Sequence, residues 1–219
     1  MDDRTRPLGR RTFLALVGTG LSSLVWGDPV WRALKSALGP ITPTVAVLPG
    51  GWRIFTVNPP MPVFDPKLWR LRIEGLVERP LELSYDELLA LPSAEQVSDF
   101  HCVTGWSVYD VRWTGVRFAD VLAAAKPFPG AGALSFYSAE KPYVDSLTLE
   151  QATAPDAMLA YAMDGRPLKR PHGAPARVVM PKMFGYKNVK WVERIVVTRE
   201  PLEGYWEERG YDRDAWVDG

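Results

Sequence analysis

The sequence is short of the residues that simple metal and disulfide chemistry needs. It has one cysteine, so no disulfide forms within the chain, and zinc sites built on two to four cysteines are excluded. It has two histidines, which excludes a three-histidine metal centre. It has no net charge: 26 Lys and Arg balance 26 Asp and Glu. Nucleic acid is therefore not recruited by overall basicity. Long apolar runs are also missing. The one uncharged stretch near the start, Thr12–Gly27, is shorter than the roughly 20 residues a membrane-spanning helix needs.

What is present is ordinary for a folded protein in bulk and unusual in detail. The 219 residues are 47% hydrophobic and 24% charged, enough chain for a sizeable core. The 20 prolines and 18 glycines predict many turns and short elements, and nine tryptophans stand out. Arg4, Arg6, Arg10 and Arg11 precede the uncharged stretch, and GRRTFLAL resembles a twin-arginine export signal. We therefore expect an export signal or anchor at 1–27, a Pro/Gly-punctuated connection at 28–50 with a short helix near 29–38, and one domain at 51–219. No A-x-A cleavage site follows the signal. The twin-arginine route carries folded proteins, which makes a cofactor worth seeking.

Within the domain the pattern predicts strands at 52–57, 68–77, 97–106, 133–140, 176–181 and 189–199. It predicts helices after Ser84, where Glu87 completes a capping box, and up to Ala125. The stretch 147–163 mixes helical and extended character. Strands and short helices alternate without a βαβ rhythm, so the fold class is α+β.

Three features carry chemistry. Cys102, in DFHCVTGW, sits where a strand runs into a glycine turn, a place where ligand-binding residues gather. Its thiolate suits a nucleophile or a soft-metal ligand. His101 is its neighbour, but adjacent strand residues face opposite sides, which leaves His172 as the base for a Cys/His hydrolase. Second, no acidic residue occurs from Gly165 to Val192, whereas Arg166, Lys169, Arg170, Arg177, Lys182, Lys187 and Lys190 do. Glycines among these cations suit a phosphorylated ligand. Third, aromatic residues crowd the same segments and suit a pocket that keeps water from a metal. A lone thiolate, a phosphate-binding segment and export after folding together ask for a metal held partly by a phosphorylated organic ligand.

From about Trp52 to Trp216 the chain resembles the molybdopterin-binding domain of the sulfite oxidase family, with its mixed-sheet fold. The resemblance is carried by DFHCVTGW, VRWTGVRFADVL, HGAPARVVMPKMFGYKNVKWVERI and GYWEERGYD. It is nearest to the small bacterial members related to the envelope methionine sulfoxide reductase catalytic subunit. The resemblance implies molybdenum and molybdopterin as cofactors, with Cys102 as metal ligand and catalytic centre. It implies cofactor contacts at Asn58, Phe100, His101, Ser138, His172, Arg177, Gly185, Tyr186, Lys187 and Lys190. The sequence departs from sulfite oxidases in having no arginine in the run after the cysteine, Val103–Ser107. A sulfite dianion would be held less well by such a site. No haem-binding or immunoglobulin-like dimerisation domain is recognised, so a monomer with a separate redox partner, such as a membrane haem protein, is expected. The implied activity is oxygen-atom transfer on a small S-oxide or N-oxide at the periplasmic face. Sulfite oxidation, a Cys/His hydrolase and a non-catalytic pterin-binding module are the alternatives.

Overall fold

The computed structural model describes residues 44–48 and 50–217. The export-type segment 1–27 and the helix expected at 29–38 lie outside the described residues. The first described element is a hairpin, β1 (Thr44–Val47) with β2 (Arg53–Thr56). Strand β1 lies inside the span read as a connection. Four residues between prolines are too few to show a period.

Two larger sheets follow. One joins β5 (Ala94–Cys102), β6 (Trp106–Arg117), β9 (Met158–Met163) and β10 (Arg166–Pro167), with β11 (Arg177–Val179) also paired to β9. All its pairings are antiparallel. The other runs in the order β4 (Leu81–Leu83), β3 (Leu71–Gly75), β12 (Val192–Thr198), β7 (Ala133–Ser138) and β8 (Val144–Thr148). Here β12 is parallel to β3 and antiparallel to β7, so the sheet is mixed.

The helices are short because the sequence stops them early. Helix α1 (Tyr85–Ala90) begins at the expected capping box: the Ser84 hydroxyl accepts from the Glu87 N–H, and the Glu87 carboxylate accepts from the Ser84 N–H at 2.7 Å. Helix α2 (Phe118–Ala125) buries Phe118, Val121, Leu122 and Ala125, one face of a helical repeat, and ends at left-handed Lys126. Helix α3 (Leu149–Ala152) is a single turn capped by Thr148 and Gln151.

The first sheet separates two cores. Along β9, Met158 and Ala160 pack into a small core with Trp52, Ile54 and Trp113, while Leu159 between them packs into the large core. The alternation is the two-residue period of a strand with both faces buried. The small core matters most here, because its aromatic rings continue into a cavity.

Candidate active site

Parts of the chain far apart in sequence line this cavity, among them Arg177 on β11. The β1–β2 hairpin brings Trp52, Arg53 and Phe55; the turn after β5 brings Cys102 and Trp106. The end of β7 supplies Ser138 and Glu140. The segment after β11 supplies Gly185, Tyr186, Asn188 and Lys190. The C-terminal segment adds Trp206 and Tyr211.

Cys102 ends β5, opposite Trp106 at the start of β6. The two-strand turn between them closes through left-handed Gly105 (φ 86°). Its Sγ lies 3.2 Å from the Thr104 hydroxyl. Burial pushes the thiol up, while Thr104 hydrogen bonds and the Arg53 charge pull the other way. Among the described residues no group of three or more His, Cys, Asp or Glu side chains could hold a metal. Cys102 is thus the soft donor that this cavity offers, and further ligands would come from elsewhere.

Arg177 is the deepest cation in the wall, 2% exposed. Its guanidinium donates to the carbonyls of His172 (3.2 Å) and Asn188 (3.4 Å) and lies 5.1 Å from the Trp113 ring centre. No carboxylate among the described residues pairs with it. Burial lowers its pKa to about 10, so it remains charged at neutral pH. A buried cation compensated only by carbonyls and ring faces favours an anionic ligand. Lys190 is the second inner cation. It donates to the Phe55 carbonyl at 2.7 Å and lies 3.8 Å from the Trp191 ring centre. Burial lowers its pKa, with Glu140 acting against that.

Glu140, which sequence reasoning missed, is buried and accepts from the Val57 N–H (2.8 Å) and the Asn58 N–H (3.3 Å). Its N–H donates to the Ser138 hydroxyl, which in turn donates to the Lys190 carbonyl. Hairpin end, β7 end and Lys190 are therefore tied by one polar network. Gly185 allows another close approach: a Cβ there would stand 2.4 Å from the Phe100 ring.

The structure brings Cys102, Phe100, Ser138, Arg177, Gly185, Tyr186 and Lys190 to one cavity. The other expected contacts sit elsewhere. His101 faces the opposite side of the β5–β6 ladder, with Nδ1 2.8 Å from the Ser107 hydroxyl and its ring against Tyr109. Asn58 is exposed and donates through its amide to the Lys141 carbonyl. Lys187 is buried between Asp145 (2.7 Å) and Glu207, so its charge is neutralised inside the fold. His172 is buried behind Trp52, ring edge to ring face at 5.0 Å, with Nδ1 lacking a hydrogen-bond partner. It does not line the cavity, so no Cys102–His172 pair for hydrolysis is assembled. Of the seven cations between Gly165 and Val192, only Arg177 and Lys190 line the cavity. Arg53, on β2, also lines the cavity. No local motif announces that placement. Trp206 and Tyr211 lie in GYWEERGYD, the signal that could have found them.

Residues 58–206 match a family described as "Oxidoreductase molybdopterin binding domain". The chain belongs to this family. Its members are enzymes, oxidoreductases whose cofactor is molybdenum held by molybdopterin. The chain is 39% identical over 154 residues to the Bacillus subtilis protein named uncharacterized oxidoreductase YuiH, covering 69% of this chain and 77% of that one. It is 33% identical over 161 residues to the protein-methionine-sulfoxide reductase catalytic subunit MsrP of Campylobacter jejuni, covering 66% of this chain and 54% of that one. The chain thus spans about half the length of that relative. The sulfane dehydrogenase SoxCD from Paracoccus pantotrophus shares the fold, with a TM-score of 0.64 at 22% identity over 84% of this chain and 56% of that one.

The residues present fit the family's cofactor. The cavity offers one soft thiol for a metal and two inner cations for a phosphate: Arg177, with no ion-pair carboxylate among the described residues, and Lys190, which feels the charge of Glu140. Gly185 lets the Phe100 ring pack directly against the backbone, where a Cβ would stand 2.4 Å from it. Among the described residues no helix is long and apolar enough to cross a membrane.

Proposed function

We propose that this molybdopterin oxidoreductase is exported and removes the oxygen atom from a small S-oxide or N-oxide. The carrying observation is the cavity itself: a single thiol, inner cations and aromatic walls converge on one space. The methionine-sulfoxide-reductase name of the Campylobacter relative favours an S-oxide. When bound, molybdenum–molybdopterin supplies the two-electron couple and the oxygen acceptor. The protein's own groups do the rest. Cys102 provides the thiolate that anchors the metal. Arg177 and Lys190 neutralise the phosphate. Phe100, Trp106 and Trp206 exclude water and shape the space for an apolar substrate.

The reaction balances as S-oxide plus two electrons and two protons giving sulfide plus water. The electrons come from a separate reductant, for which we propose a membrane haem protein. The export proposal rests on the twin-arginine pattern at Arg10 and Arg11. The test is turnover by the loaded protein with a reduced viologen dye. The expected result is one sulfide formed per two dye molecules oxidised. Faster oxidation of sulfite than reduction of any S- or N-oxide would overturn the reading.

A further inference from the structure

The cavity wall contains three cations, and they differ in how they are engaged. Arg177 and Lys190 are inner and already donate to backbone carbonyls. Arg53 is exposed, and among the described residues no carboxylate pairs with it. Along β2 the buried residues are Ile54 and Thr56, so Arg53 lies on the alternate face with Phe55. It lines the same cavity as Cys102. Its neighbours in the wall include Trp52, Phe55 and Trp106. The hairpin that carries it precedes the matched family segment, which begins at residue 58.

We propose that Arg53 is a specificity-determining residue that binds an anionic group of the substrate beside Cys102. The inference rests on the oxidoreductase reading and refines its substrate class: an S-oxide that bears a carboxylate, held by the guanidinium while its apolar part meets the aromatic wall. The physical case has three parts. An arginine fork presents paired N–H donors that match a carboxylate. Arg53 has no ion-pair carboxylate among the described residues, so anion binding breaks no described salt bridge. Beside a low-dielectric aromatic wall its charge is screened less than on an open surface.

The test has a binding arm and a turnover arm, both on loaded protein. In the first, sulfate is titrated calorimetrically into wild type, Arg53→Gln, Arg53→Lys and Arg79→Gln. Arg79 is exposed and outside the cavity. Sulfate affinity is expected to fall roughly tenfold or more in Arg53→Gln, to recover partly in Arg53→Lys, and to match wild type in Arg79→Gln. Equal affinity in wild type and Arg53→Gln, or no saturable binding in wild type, overturns the proposal. In the second arm, kcat/KM is compared for a carboxylate-bearing and a neutral S-oxide. Arg53→Gln should lose roughly tenfold more on the charged substrate, mainly through KM. Equal losses on both overturn the specificity role. If wild type reduces neither S-oxide while sulfate binding still depends on Arg53, the proposed reaction fails and the anion site stands.

Discussion

Burial decides the charge of His172. Its pKa falls from the ordinary 6.5 to about 4, first through desolvation and then through Arg177, Lys190 and Lys169. The ring is neutral at neutral pH, which suits a site that already holds Arg177. The stability consequence has a definite sign. Between pH 6.5 and 4 the unfolded chain binds a proton that the folded chain rejects. His172 therefore destabilises the fold as pH drops through that window and contributes nothing above it. The full effect is about 3 kcal/mol. Melting temperature should fall between pH 6.5 and 4.5 in wild type, and less in His172→Gln. Parallel falls in both proteins would show that another group is responsible.

At the scale of elements, sequence reading found β2, within the strand expected at 52–57, and missed its partner β1. Trp52 is 6% exposed and packs against Phe100, Trp106, Trp113 and His172. It joins a strand outside the matched family segment to the small core. Trp52→Ala should cost about 3–5 kcal/mol in urea unfolding, as large aromatic truncations do. It should also lower cofactor content, because one cavity wall loses its anchor. A loss below about 1 kcal/mol would mean that the hairpin is not part of the cooperative unit.

Elements with a strong local signal were legible. The capping box at Ser84 and Glu87, the strand-to-helix switch before Phe118 and the strand at β12 follow from caps and periodicity. Cys102 was legible as a candidate because a lone thiol is a local fact, whereas the run without acids named seven cations and did not separate Arg177 and Lys190, which line the cavity, from the other five. Lys187 shows the limit. Its window marks it as a candidate anion contact, yet its partners Asp145 and Glu207 lie 42 and 20 residues away. Glu140 and Arg53 were illegible for the same reason. Glu140 is held by the Val57 and Asn58 N–H groups, more than 80 residues away, Arg53 sits on a short hairpin, and nothing in the adjacent sequence marks either.

At the scale of the whole molecule, the Lys187 cluster ties three regions together. Asp145 belongs to β8, Lys187 follows cavity-lining Tyr186, and Glu207 follows cavity-lining Trp206. The Glu207 carboxylate also accepts from the Gly204 N–H at 3.0 Å, and a Cβ on Gly204 would meet the Asp145 carboxylate at 2.7 Å. The C-terminal segment is thus docked through buried charge, with Trp206 and Tyr211 delivered to the site. Removing the cation leaves buried Asp145 without an ion pair and Glu207 with Arg213 alone, at 3.7 Å. Lys187→Met should destabilise the fold by about 3–5 kcal/mol, read from the urea midpoint. An unchanged midpoint would show that the cluster does not hold the segment.

The proposed chemistry depends on the cavity beside Cys102 holding molybdenum through molybdopterin. The most direct measurement is the molybdenum-to-protein ratio by elemental analysis, with the protein made in a host that synthesises the pterin. The account predicts a ratio near one in wild type, with pterin fluorescence released on denaturation. It predicts that Cys102→Ser folds with an unchanged circular dichroism spectrum and loses turnover. A wild-type ratio near zero with no pterin fluorescence, or full activity in Cys102→Ser, would contradict it.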